Sequence, residues 1–157
     1  MRVVGYKWVC VETPAAQLRG IILHSAFNAH DWTRGTNYAS YAPSETTLWG
    51  FNAYHGALRA RWSGRTFGQV MVGLTGFGTV ALFQHGWRAE KAEIVAIHVP
   101  RRFARHAERE SGHRFLVRLA ATYDVPVFQS IRQLRRETER WGTRGSVLLK
   151  HREHPAV

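Results

Sequence analysis

Gln69-Val70-Met71-Val72-Gly73, Gly78-Thr79-Val80-Ala81-Leu82-Phe83-Gln84 and Ala92-Glu93-Ile94-Val95-Ala96-Ile97-His98-Val99 are three β-branched, apolar runs separated by glycine-bearing turns. Short runs of this composition between glycines read as strands. Three in succession make this the most sheet-like part of the chain, and Pro100 ends it. Gly73-Leu74-Thr75-Gly76-Phe77-Gly78, between the first two runs, superficially resembles a phosphate cradle. Such loops lead into a helix whose first amides bind the anion, whereas a strand-like run follows here and no Gly-Lys-Ser/Thr occurs. A hairpin or bulge with glycine at positive φ is the better reading.

Outward from this centre, Tyr6-Lys7-Trp8-Val9-Cys10-Val11 reads as a strand closed by Thr13-Pro14, and Leu18 to Phe27, with Ile21-Ile22-Leu23, as a more buried one. Residues 28–47 are rich in Asn, Asp, Ser, Thr, Gly and Pro without a period, a long irregular connection. Phe51, Tyr54, Leu58 and Trp62 recur as the apolar stripe of a helix ending near Ser63-Gly64, although Gly56 interrupts it. In the last third, Ser111 is positioned to cap a helix whose apolar face is Phe115, Leu116, Leu119, Ala120 and Tyr123. Val125-Pro126-Val127-Phe128 is a short extended link. Ser130 then caps a second helix with Ile131, Leu134 and Trp141 on its core side and Gly142 at its stop.

The resulting expectation is an α+β fold: a small bent antiparallel sheet or partly open β-barrel, one inserted helix, and two C-terminal helices packed outside. The 157 residues suit one domain, assigned to residues 1–142, with a basic, flexible tail over 143–157. Hydrophobic residues make up 45% of the chain, which excludes the apolar-poor composition of disordered chains. A lone cysteine, Cys10, excludes an intramolecular disulfide and thiolate-rich zinc frameworks, and mid-strand it reads as a small core residue. No signal-peptide core and no run of about 18 apolar residues is present, so the expectation is a cytoplasmic protein without a membrane span.

Basic residues number 22 against 11 acidic ones, and since only Lys7, Lys91 and Lys150 are lysines, 19 are arginines. Polyanions are the natural partners of such a chain. From Arg101 onward there are 13 basic and 6 acidic residues, so the excess is concentrated in the final third. At 100° per residue, Arg132, Arg135, Arg136 and Arg140 share the broad side opposite Ile131, Leu134 and Trp141, a surface able to follow phosphates. Arg114 and Arg118 on the preceding helix join them as candidate nucleic-acid contacts. The ordinary alternative is a solvated helix face, softened by Glu139.

His85-Gly86-Trp87-Arg88-Ala89-Glu90-Lys91 is the candidate ligand-binding segment. A turn at Gly86 would gather His85, Trp87, Arg88 and Glu90 into a pocket for a small ligand or a protein segment. The competing reading is a Trp that plugs the barrel end while Arg88 pairs with Glu90 or Glu93. Nine histidines occur, among them His24, His30, His106, His113, His151 and His154, but none fits a metal template, and no metal or cofactor is expected. His98, among apolar neighbours, reads as a core residue. His55 or His85 could act as a general base if the chain were an enzyme on nucleotides or nucleic acid, yet no nucleophile, base and orienter form a recognised set.

Ala42-Pro43, Gly50-Phe51-Asn52-Ala53-Tyr54, Val72-Gly73, Thr75-Gly76-Phe77-Gly78-Thr79-Val80, Gly86-Trp87-Arg88-Ala89-Glu90-Lys91-Ala92 and Tyr123-Asp124-Val125-Pro126 together resemble a group of small uncharacterised actinobacterial and phage-associated proteins. The resemblance spans roughly residues 1–128. It implies one domain and a bacterial or phage origin, and no catalytic residue. The Cys and His that members carry near Pro43 to Gly50 are missing here. Composition and pattern together lead to a noncatalytic module that contacts nucleic acid through arginine-rich C-terminal helices.

Overall fold

The computed structural model describes residues 1–12, 21–25, 30–43, 50–62, 68–111 and 114–148. The expected turn at Thr13-Pro14, the helix stop at Ser63-Gly64, His113, His151 and His154 lie outside these residues. The fold is α+β. Its elements in order are β1 (Val3–Glu12), β2 (Ile22–Ser25), β3 (His30–Trp32), β4 (Asn37–Tyr38), β5 (Phe51–Tyr54), α1 (Ala57–Trp62), β6 (Gln69–Leu82), β7 (Gly86–His98), α2 (Arg101–Ser111), α3 (Phe115–Tyr123), β8 (Val127–Phe128), α4 (Ile131–Thr138) and β9 (Thr143–Arg144).

The three central runs form two long strands. β6 continues from Gln69 to Leu82 without a turn, because the glycine stretch is accommodated as a bulge: the register with β7 shifts between Phe77 and Val80, and Gly78 sits at φ +77°. An extra residue at positive φ bends a strand without ending it. The hairpin turn falls later, at Phe83 to His85, where the Phe83 amide donates to Gly86 O at 2.8 Å. β1 pairs antiparallel with β6 from Val3 to Cys10, β5 bridges β1 and β7, and β1, β5, β7 and β6 thereby close a ring. β2 and β3 extend the sheet from β1. The sheet is not wholly antiparallel, since β8 pairs parallel with β7 and β9 parallel with β1.

Strand alternation sends neighbouring side chains to opposite sheet faces, and both faces are covered. One face gathers Val3, Val9, Leu23, Val70, Val72, Leu74, Trp87 and Ile97, and α2 and α3 close it with Ala104, Ala107, Phe115, Leu119 and Tyr123. The other gathers Tyr6, Trp8, Met71 and Ala96 beneath Ala57 and Ala60 of α1 and Leu134 of α4. Tyr123 ties the first face together through its hydroxyl, which accepts from the Leu23 amide at 2.7 Å and donates to Trp32 O at 3.1 Å. On the second face, α4 can approach β6 closely because position 73 is glycine, and a Cβ there would run into the Thr138 side chain.

Four expectations are corrected. Phe51–Tyr54 is a strand, not the first turn of a helix; its helical spacing coincides with a strand alternation that buries Phe51 and Ala53 against β7, and only Ala57–Trp62 is helical. Ser111 closes α2 instead of capping α3, whose N-cap is Arg114 with no side-chain bond to the helix. After Pro100 come α2, α3 and α4, and residues 145–148 are helical as well, where two helices were expected. Trp141 is 45% exposed; it ends the 3-10 turn over Glu139–Trp141 that follows α4 and lines a surface cleft beside Arg34, Asp124 and Pro126 instead of packing with Ile131 and Leu134. Ser130 does cap α4, accepting from the Gln133 amide. Of the residues expected as a tail, Thr143 and Arg144 pair with β1, Leu148 packs against the core, and 149–157 lie outside the described residues.

Candidate nucleic-acid interface

The strongest basic surface begins on α2, a helix that the reading of the sequence passed over. Pro100 precedes it, and Pro100 O accepts from the Ala104 amide at 2.8 Å to close the first turn. Ala104 and Ala107 point into the core, and Phe103 meets Phe115 of α3 edge-to-face at 5.6 Å. With that side fixed, the 100° step places Arg101, Arg105, Arg109, Arg102 and His106 within one arc of about 140° facing outward. All five side chains are exposed. Arg101, Arg102, Arg105 and Arg109 make no ion pair among the described residues.

Arg101 and Arg102 also lie in the first turn of α2, which carries no acidic residue. Cations at the positive end of a helix cost roughly 0.3–1 kcal/mol each. The local charge is thus unfavourable for the helix itself and favourable for an anion placed over it. α3 packs beside α2 and adds Arg114 and Arg118, both exposed and without an ion pair among the described residues. Six guanidinium groups therefore share the surface of one helical pair, with half-buried Glu108 the described carboxylate on it.

α4 stands elsewhere. Its Leu134 belongs to the opposite face of the sheet from Leu119 and Tyr123 of α3, so Arg114 and Arg118 are not brought together with Arg132, Arg135, Arg136 and Arg140. The single surface expected of the last two helices is thus two surfaces. On α4, Arg140 pairs with Glu137 at 3.1 Å, and beyond it Arg144 reaches Glu139 at 3.8 Å. Arg132, Arg135 and Arg136 are exposed and make no ion pair among the described residues.

The expected ligand-binding segment does not converge on a pocket. Trp87 is 1% exposed, and its indole N–H donates to Val4 O at 3.0 Å inside the ring. One residue along β7, Arg88 points to the other side, its guanidinium 5.8 Å from the Phe83 ring. Glu90 accepts from the Thr79 amide at 3.1 Å, a bond that holds its carboxyl below the usual range. His85 is exposed in the hairpin turn. Strand alternation separates what a turn at Gly86 would have gathered, and of the two readings of Trp87 the geometry matches the plug, although Arg88 pairs with neither Glu90 nor Glu93 among the described residues. A cleft of about 190 Å³ does exist elsewhere, between Arg34, Glu93, Asp124, Pro126 and Trp141, but Arg34 and Asp124 pair there at 2.7 Å and Glu93 is taken up by Arg2 and Thr36.

His55 is placed poorly for a general base. Its Nε2–H donates to Phe83 O at 2.7 Å, which leaves the lone pair on Nδ1, and that atom is buried beneath Gly145. Burial holds its pKa below the ordinary histidine value. Lys7, 7% exposed, donates to Asn52 Oδ1 at 2.7 Å; burial, and then the Arg88 charge, bring its pKa down to about 8. No helix of the described residues is long and apolar enough to cross a membrane.

Fold and surface together define a basic α+β domain with arginine-rich helices on both sides of its sheet. Comparison with protein-family models, curated proteins and solved structures finds no match.

Proposed function

We propose that this domain is a noncatalytic module that binds the phosphate backbone of nucleic acid through α2 and α3. The observation that carries this reading is that Arg101, Arg102, Arg105, Arg109, Arg114 and Arg118, on two helices in contact, are all exposed and free of ion pairs among the described residues. Guanidinium groups match phosphate geometry in bidentate fashion and stay charged at every physiological pH. Contacts of this kind position a protein on a duplex without reading bases, so sequence discrimination is small. Nucleic acid and a reducing interior, consistent with the lone Cys10, make the cytoplasm the expected setting.

Six phosphate contacts predict an affinity that falls about a thousandfold between 50 and 200 mM salt. Replacing Arg101, Arg102, Arg105 and Arg109 by Gln should lower the slope of log K against log salt by about 3 to 4. Fluorescence anisotropy on a short DNA duplex measures both. Affinity that ignores salt, or a slope unchanged in that variant, would sink the reading.

A further inference from the structure

We propose that α1 and α4 form a second backbone-binding face, and that the domain uses its two faces to bridge two nucleic-acid duplexes. The inference rests on the function proposed for α2 and α3. α1 packs over β1 and β5, and α4 over β6 and β7, with the strands in the order β5-β1-β6-β7. Both helices are rooted in the shared cluster of Tyr6, Trp8, Met71 and Ala96, α1 from its β1 side and α4 from its β6 and β7 side. Their outward sides carry Arg59 and Arg61 from α1 and Arg132, Arg135 and Arg136 from α4. All five are exposed, and none has an ion pair among the described residues. The nearby carboxylates Glu137 and Glu139 are engaged by Arg140 and Arg144, so they do not neutralise the other five.

The sheet separates this surface from the one on α2 and α3, because Leu134 and Ala60 are buried on one side of it and Leu119 and Ala107 on the other. A duplex is stiff over about 150 base pairs. A straight one lying on α2 cannot reach Arg132 or Arg136 round a domain of this size, which has a radius of gyration of about 15 Å by the usual scaling. Each face is then a separate anchor, and one protein molecule holds two duplex segments.

The test uses two DNA duplexes of about 30 base pairs, short enough to stay straight, one biotinylated and immobilised and the other fluorescent and free. Variant one carries R101Q, R102Q, R105Q and R109Q, and variant two carries R59Q, R132Q, R135Q and R136Q. The wild-type protein should capture the fluorescent duplex. Each variant should still bind a single duplex in anisotropy but capture less than about a tenth of the wild-type amount. Lysine at 59, 132, 135 and 136 keeps the charge and should restore capture. Capture by variant two at the wild-type level overturns the inference, since one face would then suffice through association of two protein molecules. So does a wild-type protein that holds one duplex and never a second, an outcome that leaves the α2–α3 reading standing. A wild-type protein that binds no duplex refutes that reading and this one with it.

Discussion

At the scale of single residues, Trp87 shows how a side chain with two plausible roles is assigned by its partners. Its indole fills the space between Gly5 and Gly76, where a Cβ at either position would collide with the ring, and its N–H is satisfied by a backbone carbonyl. A buried, hydrogen-bonded tryptophan stabilises the fold and offers no surface to a ligand. Trp87→Ala should therefore cost about 3–5 kcal/mol in denaturant unfolding. Glu90→Gln, at a position open to water, should leave the unfolding midpoint close to that of the wild type. A Trp87→Ala protein of unchanged stability would mean that the indole is not the plug of the ring. The sequence named both roles for Trp87 but could not choose between them. Alternation along β7 decides the matter, and alternation was hidden because Gly86 looked like the turn while the turn lies at Phe83 to His85.

At the scale of elements, most of the sheet was legible, and the helices less so. The apolar runs at 69–73 and 78–82 lie in β6 and 92–98 in β7, with Phe83, Gln84 and Val99 falling just past the strand ends, because β-branched residues suit a pleated surface and the glycines of β6 are absorbed by a bulge. α4 was found from Ser130 and its Ile131/Leu134 spacing. α2 was missed because its core contacts are two alanines and a half-buried phenylalanine, too weak an apolar stripe to register. The signal that would have found it is arginine at 101, 105 and 109, an i, i+4, i+8 series starting directly after a proline. Phe51 to Tyr54 was misread for the opposite reason: a spacing compatible with a helix was overridden by the pairing that β1 and β7 offer. The docking of α4 gives a prediction at this scale. Gly73→Ala should destabilise the fold by about 1–3 kcal/mol through overpacking against Thr138. Combining it with Thr138→Ala, which removes the nearest atoms, should recover part of that loss. A double-mutant cycle in urea should give a coupling of about 1 kcal/mol between the two sites, and zero coupling would mean that α4 does not rest on β6 at this point.

At the scale of the whole molecule, buried groups shape the pH dependence of stability in two directions: His55 and Lys7 are lowered, and Tyr6 and Tyr123 are raised, Tyr123 chiefly by burial. His55 has its pKa lowered, chiefly by burial; as pH falls below about 6.5 the unfolded chain takes up a proton that the folded one resists, so stability declines toward acid. Lys7 is also lowered, to about 8. Between about pH 8 and 10.5 the unfolded chain still holds the lysine proton after the folded chain has lost it, so stability rises with pH through that window. The full effect corresponds to about 3 kcal/mol, present as a cost at pH 7 and relieved by pH 10. Tyr6 is raised to about 12, first by burial and then by the Glu139 charge, so its contribution is complete below pH 10 and is lost as pH climbs through 12. Stability is therefore expected to peak near pH 10, above the usual range, and the molecule's +11 charge adds to the same slope because deprotonation relieves self-repulsion. Lys7→Met separates the two causes. It should raise stability at pH 7 by about 1–3 kcal/mol and flatten the rise from pH 8 to 10, while leaving the decline below pH 6.5 in place. Urea unfolding midpoints at pH 5, 7, 8.5 and 10, at constant ionic strength, measure this directly. A rise that survives intact in Lys7→Met would assign the pH dependence to global charge instead of to the buried lysine.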